Sequence, residues 1–341
     1  MASLTALYLI TFCPILTTVQ AASPVEYVGS ISVNKPLGRI IADPVRPEVY
    51  GITADGDVVF IDCLGKTVQK VLSTGRTLRD IDVDSQGQSM YVLDNITGAY
   101  WNQQPAVYVL KYDLATQSAV NIKVVNAPMY QMALGRQDRW LGVGLNQWVS
   151  SYQVNSQTGA VVSSADGGFY GNTEWSAQTF VSTSNGNKLF HTEVGLSSIS
   201  LMAYDTSTDT ITKTQTRGVG SYTTEPVFIN STDSSLYVGD LRLDPQNIGT
   251  VLGLFPETIY AATGNDTLAF GKNFVYDPTW GTKLQTMPVS FDMMAIGNYD
   301  HYLYSFDPGT QKLYVMRVIP EPISAMLLAA GTLLLRRKRQ N

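Results

Sequence analysis

The chain has 341 residues, of which 44% are hydrophobic, 10% aromatic and only 15% charged, with a formal net charge of −5 at pH 7. So low a charged fraction excludes disorder driven by charge and a coiled coil built on Glu and Lys, and the acidic balance argues against a broad nucleic-acid surface. The 28 Gly, 15 Pro and 19 Tyr favour many turns and strands over long helices.

The first element is an apolar run over residues 4–19, with no charge before Glu26. Val19, Gln20 and Ala21 then place small residues three positions and one position before a cut at Ala22. This is the layout of a secretory signal peptide spanning 1–21 and cleaved after Ala21, although only the amino terminus supplies positive charge. Its removal takes Cys13 away and leaves Cys63 as the single cysteine. An exported body with one thiol cannot form an internal disulfide, so packing must stabilise it.

The body, 22–318, offers no convincing helix. One phrase recurs instead, as IDCLGKTV, YDLATQSAV, VNSQTGAVV, YDTSTDTIT, LDPQNIGTVL, YDPTWGTKL and FDPGTQKLYV. Its polar pivots are Asp62, Asp113, Asn155, Asp205, Asp244, Asp277 and Asp307, spaced on average about 41 residues apart. Asp or Asn opens a turn by accepting from backbone N–H groups two residues on, Gly fills the position of positive φ, and β-branched and aromatic residues flank it as strands. Each phrase therefore reads as a β-hairpin. A strand, a polar turn and an aromatic-led strand precede most of them, most clearly in RDIDVDSQGQSMYVLD. A four-stranded unit at this period predicts an all-β protein, a single closed β-propeller. Seven phrases give seven blades, with six as the alternative if Asp244 and Asp277 share a blade. The phrase DVDSQGQSMYV loosely resembles the repeat of YVTN-type β-propellers. The strand Val25 to Val33 has no partner nearby, and closure of the ring places it beside Lys312 to Val318 in the last blade.

A search for chemistry finds little in the body. The two histidines, His191 and His301, are far apart, and the common metal, nucleotide and nucleophile-elbow motifs are absent. No catalytic, cofactor-binding or metal-ligating set is expected, and a lone His is more often a surface or hydrogen-bonded residue. The most suggestive acids are Asp80, Asp82 and Asp84, which share one strand face. On an inner blade strand they face the central channel as ligand contacts, or Asp84 opens a turn while Asp80 and Asp82 bond backbone groups. Two aromatic-rich segments follow, one with Tyr100 and Trp101, the other with Tyr170 and Trp175. Their rings are expected either to stack on a sugar or protein partner or to cap the wedge between blades.

The last element is 319–341. Pro320, Glu321 and Pro322 precede an apolar run from Ile323 to Leu335, and Arg336, Arg337, Lys338 and Arg339 follow. As a helix the run is short for a bilayer core of about 30 Å, and snorkelling basic side chains make up the difference. Without the four cations that follow Pro322, the remaining chain carries a net charge of −9.

This tail resembles the PEP-CTERM sorting signal of Gram-negative bacteria, with the triplet, the apolar helix and the Arg-rich end in order. The resemblance covers the last 22 residues and is silent about the body. It implies export, transient anchoring in the inner membrane through the tail, processing by an exosortase as partner, and a setting of exopolysaccharide and biofilm. The expected function is a non-catalytic binding or structural scaffold at the surface or in the matrix, contacting polysaccharide or another matrix protein and no nucleic acid. The alternative is a propeller hydrolase or lyase acting on lactones or extracellular glycans.

Overall fold

The structure is a computed structural model and describes residues 23–94, 106–144, 150–166, 180–194, 199–220, 226–290 and 293–319. The leader and the sorting tail lie outside the described residues. Pro24–Pro320 forms one compact unit.

The first strand, β1 (Val25–Ser32), is completed only by the end of the chain. Blade 1 is β2 (Leu37–Ala42), β3 (Glu48–Thr53), β4 (Asp57–Asp62) and β5 (Thr67–Ser73). Blade 2 is β6 (Leu78–Val83), β7 (Ser89–Asp94), β8 (Val107–Asp113) and β9 (Ala119–Val124). Blade 3 is β10 (Met129–Leu134), β11 (Arg139–Gly144), β12 (Ser150–Asn155) and β13 (Val161–Asp166). Blade 4 is β14 (Phe180–Ser182), β15 (Lys188–Val194), β16 (Ile199–Asp205) and β17 (Thr212–Gly220). Blade 5 is β18 (Val227–Ile229), β19 (Leu236–Val238), β20 (Leu241–Asp244) and β21 (Asn247–Leu254). Blade 6 is β22 (Ile259–Ala262), β23 (Ala269–Gly271), β24 (Phe274–Asp277) and β25 (Thr282–Thr286). Blade 7 is β26 (Met293–Gly297), β27 (Tyr302–Asp307), β28 (Lys312–Val318) and, from the other end of the chain, β1.

Each blade is a four-stranded antiparallel sheet, sequential in blades 1 to 6 and closed by β1 in blade 7, which is a seven-bladed β-propeller. The first strands of successive blades pack against one another around the axis. Inner and middle strands bury both faces, so β4 reads VVFI without alternation, whereas outer β5 is half exposed along its length. The apolar residues fall into seven clusters, each between two neighbouring blades. Burial is thus distributed over seven seams rather than one central core.

Closure follows the sequence-based expectation. β1 pairs antiparallel with β28 from Val25↔Val318 to Ser32↔Lys312. The side-chain amide of Gln285 on β25 accepts from the Val25 N–H (3.0 Å) and donates to its carbonyl (2.9 Å), so a side chain imitates a strand partner there.

All seven hairpin pivots behave as the turn chemistry requires. Asp62, Asp113, Asn155, Asp205, Asp244, Asp277 and Asp307 each accept from a backbone N–H two residues on, at 2.7–3.0 Å. The expected use of glycine holds only in part. Gly159 and Gly281 take positive φ, but Lys66, Gln117 and Gln311 take it in three other turns. The first six phrases join the third and fourth strands of a blade. The seventh, at Asp307, joins β27 to β28, the second and third strands of blade 7. That shift explains the short final spacing of the phrases, because the fourth strand of that blade is β1. Asp244 and Asp277 belong to separate blades, which removes the six-blade alternative.

Candidate functional site

The connections from first to second strand lie at one end of the ring, here the turn end. The connections from second to third strand and from blade to blade lie at the other. Turn-end connections are short and bonded to their neighbours. Arg46 donates to the Gly87 carbonyl (2.6 Å), Ser184 N–H to Asp233 (2.9 Å), and Asn230 to the Gly264 carbonyl (3.0 Å). Asn298 and Tyr299 N–H groups donate to Asp43 and Pro44 carbonyls (both 2.9 Å), joining blade 7 to blade 1. Gly186, at φ 68°, sits so near Arg136 that an added Cβ would lie 2.1 Å from its nitrogen, which explains glycine there.

Among the described residues, the ionisable groups on the inner strands gather on three consecutive ones, β2, β6 and β10. Asp80 is 1% exposed. Its carboxylate pairs with Arg39 on β2 and accepts from Met132 N–H on β10 and its neighbour Ile81 N–H (both 2.8 Å). Asp82, two residues on and on the same face, is half-buried and accepts from Val83 N–H (2.9 Å) and Leu134 N–H (3.2 Å). Burial raises the Asp82 carboxyl to about 7, and the neighbouring Asp80 charge adds to the rise. Burial also pushes Asp80 upward, against the pull of Arg39 and the two N–H groups.

The start of the inner strands carries a repeated irregularity. Arg79 is the extra residue where β6 shifts register against β7, and Tyr130 is the extra residue where β10 shifts against β11. A bulge re-aims the side chain it carries. Here the Arg79 guanidinium stacks 3.8 Å above the Tyr130 ring centroid.

The readings of the sequence can now be placed. β6 is an inner strand, and Asp80 and Asp82 come together with Arg39, Arg79 and Tyr130, which sequence reading did not single out. Both Asp side chains bond backbone groups, while Asp84 opens a turn by accepting from Gln86, Gln88 and Ser89 N–H groups. Tyr100 and Trp101 fall between β7 and β8, and Tyr170 and Trp175 between β13 and β14, all outside the described residues. Ala21, Pro320, Glu321, Pro322 and Arg336 to Arg339 also lie outside them.

His191 departs from expectation. It is neither a surface residue nor, among the described residues, a hydrogen-bonded one. It is 0% exposed on β15, its ring edge-on to Phe180 at 5.8 Å, and neither ring nitrogen has a partner among the described residues. Burial lowers its pKa to about 3, so the imidazole is neutral at working pH. Cys63 is buried and free. Among the described residues no group of three or more His, Cys, Asp and Glu could hold a metal ion, and no helix is long and apolar enough to cross a membrane.

No family model and no curated protein matches the chain. Among solved structures the chain is similar to hydrazine synthase of Kuenenia stuttgartiensis, at 10% identity and a TM-score of 0.60, over 84% of this chain and 97% of that one. At that identity the likeness is one of fold alone, in keeping with the seven-bladed β-propeller.

Proposed function

We propose that the protein is exported, sorted by an exosortase through its C-terminal signal, and used at the surface or in the matrix as a non-catalytic binding scaffold. The observation that carries the scaffold reading is how the inner carboxylates are used. Asp80 and Asp82 spend their oxygens on backbone N–H groups of the next blade and on Arg39. Groups held this way fix blade to blade. The export and sorting reading is supported by residues 1–21 and 319–341. Proline does not continue a helix, so a triplet with Pro320 and Pro322 suits an enzyme that reads extended backbone at the membrane. Glu321 is the charge such an enzyme could read through a basic pocket. The aromatic segments at Tyr100, Trp101, Tyr170 and Trp175 supply candidate contacts to exopolysaccharide or a matrix protein. They fall in the segments between β7 and β8 and between β13 and β14.

Mass spectrometry of the mature C-terminus in a host with exosortase tests the sorting reading. The wild-type chain is expected to end near the triplet, and Glu321→Ala is expected to be exported but left uncleaved. A wild-type chain that keeps residues 323–341 would reduce the tail to an anchor.

One observation favours the second reading, a propeller hydrolase or lyase. A half-buried carboxyl at about 7 is poised for general acid–base work at neutral pH, and Asp82 is such a group. Lactone or glycan turnover lost in Asp82→Asn, with stability retained, would support it.

A further inference from the structure

Resting on the binding reading above, we propose that Tyr299, on the turn joining β26 to β27, is a contact residue for a neutral polysaccharide chain at the turn end of the ring. Asn298, Tyr299 and Asp300 have φ of 50°, 55° and 65°, three left-handed residues in succession. Asn and Asp are among the residues that tolerate this region, whereas a bulky aromatic residue there is an outlier. The backbone conformation itself has a structural use. The N–H groups of Asn298 and Tyr299 bond to blade 1, and the Asp300 carboxylate accepts from Gly264 N–H of blade 6. None of these bonds needs the tyrosine side chain. That side chain is 69% exposed, and neither its ring nor its hydroxyl has a partner among the described residues. Stability would favour Gly, Asn or Asp at position 299. A strained, exposed aromatic residue held by an over-determined turn fits a contact to something outside the chain.

The surrounding turns name the class of ligand. The carboxylates of Asp43, Asp84, Asp233, Asp266 and Asp300 are occupied by backbone N–H groups, hydroxyls or arginines. Much of what the turns leave exposed is neutral, including Gln86, Gln88, Gln137, Asn185, Thr232 and Asn265 beside the imidazole of His301, and the half-exposed Asp138 carboxylate is paired with Arg139. An aromatic face among amides and hydroxyls suits a neutral sugar ring, whose C–H face stacks while its hydroxyls hydrogen-bond. An anion would find no free cation on this turn, and a cation would compete for carboxylates already bonded.

Affinity electrophoresis of the full chain tests this, in gels containing dextran, hydroxyethyl cellulose or galactomannan, with anionic alginate alongside. The wild-type protein should be retarded by at least one neutral polymer. Tyr299→Gly should weaken that retardation at least tenfold without lowering the melting midpoint, and Tyr299→Trp should retain it. Retardation of Tyr299→Gly equal to wild type overturns the contact and leaves the binding reading standing. A lower melting midpoint for Tyr299→Gly overturns it as well, because the ring would then be structural. Retardation by alginate alone overturns the neutral-sugar assignment. No retardation of the wild-type protein by any polymer overturns both the contact and the polysaccharide reading.

Discussion

Two adjacent seams of the ring bury ionisable groups in opposite ways. Between blades 2 and 3, Asp80 and Asp82 reach across to β10 and accept from its backbone, with Arg39 balancing the charge. Between blades 3 and 4, His191 lies against Phe180 among apolar neighbours, and its nitrogens accept and donate nothing among the described residues. A buried polar group costs least when its bonds are made within the fold. The first seam is therefore held by its polar groups. The second holds together only while its imidazole stays neutral. Burial alone does not mark a functional residue, and what the group bonds to decides what it does.

The largest expected effect is at the first seam. Asp80→Asn leaves Arg39 without its partner and should cost about 3–5 kcal/mol, as breaking one side of a buried ion pair does. Urea unfolding reads this directly.

The second seam should show itself in acid. The His191 pKa is lowered in the folded state to about 3, from about 6.5 in the unfolded chain. The unfolded chain therefore binds a proton that the folded chain does not between these values. Stability is lost as pH falls through that window, by up to about 1.4 kcal/mol per pH unit. His191→Leu should flatten the decline by about 3 kcal/mol between pH 6.5 and pH 4, measured by melting across that range. An unchanged acid limb would mean that the imidazole reaches solvent or a partner.

Asp82 should act with the opposite sign. Its folded pKa, about 7, lies above the ordinary carboxylate value, so the folded chain holds the extra proton. Stability from this source is present at low pH and is lost as pH rises from about 4 to about 7. The residue is half-buried, so the swing should be only about 1–2 kcal/mol. Asp82→Asn should remove it and make the acid decline from His191 appear steeper. The two groups thus partly cancel in the wild-type profile.

The closure should show an effect of similar size. Gln285→Ala removes both side-chain bonds to Val25 and should cost about 1–2 kcal/mol. Reducing agent should change nothing, because Cys63 is free.

Much of this ring was legible because its information is local. A turn opened by Asp62 or Asp277 is written within a few residues, and seven repetitions carry the blade count. The unpaired strand at Val25 announced the closure. The seventh phrase sits one connection earlier in its blade than the other six, and nothing local distinguishes a second-to-third connection from a third-to-fourth one. The shared face of Asp80 and Asp82 followed from strand period. Their partners at Met132 and Leu134 are 52 residues away, and no short pattern points to them. Arg79 and Tyr130 were missed because a bulge shifts register without leaving a mark in composition. His191 was misread because a single His in a strand does not reveal which neighbours it will meet. Tyr299 had no signal beyond its place between Asn and Asp in a short turn.

The most direct test of whether the inner carboxylates hold the blades together is a double-mutant cycle on Arg39 and Asp80 by urea unfolding. Asp80→Asn should lose about 3 kcal/mol or more. Arg39→Met should lose less, and the double variant should lose less than the two together, with a coupling of about 1–3 kcal/mol. Stability of Asp80→Asn within about 0.5 kcal/mol of wild type, with no coupling to Arg39, would contradict the holding role and leave that carboxylate free for other work.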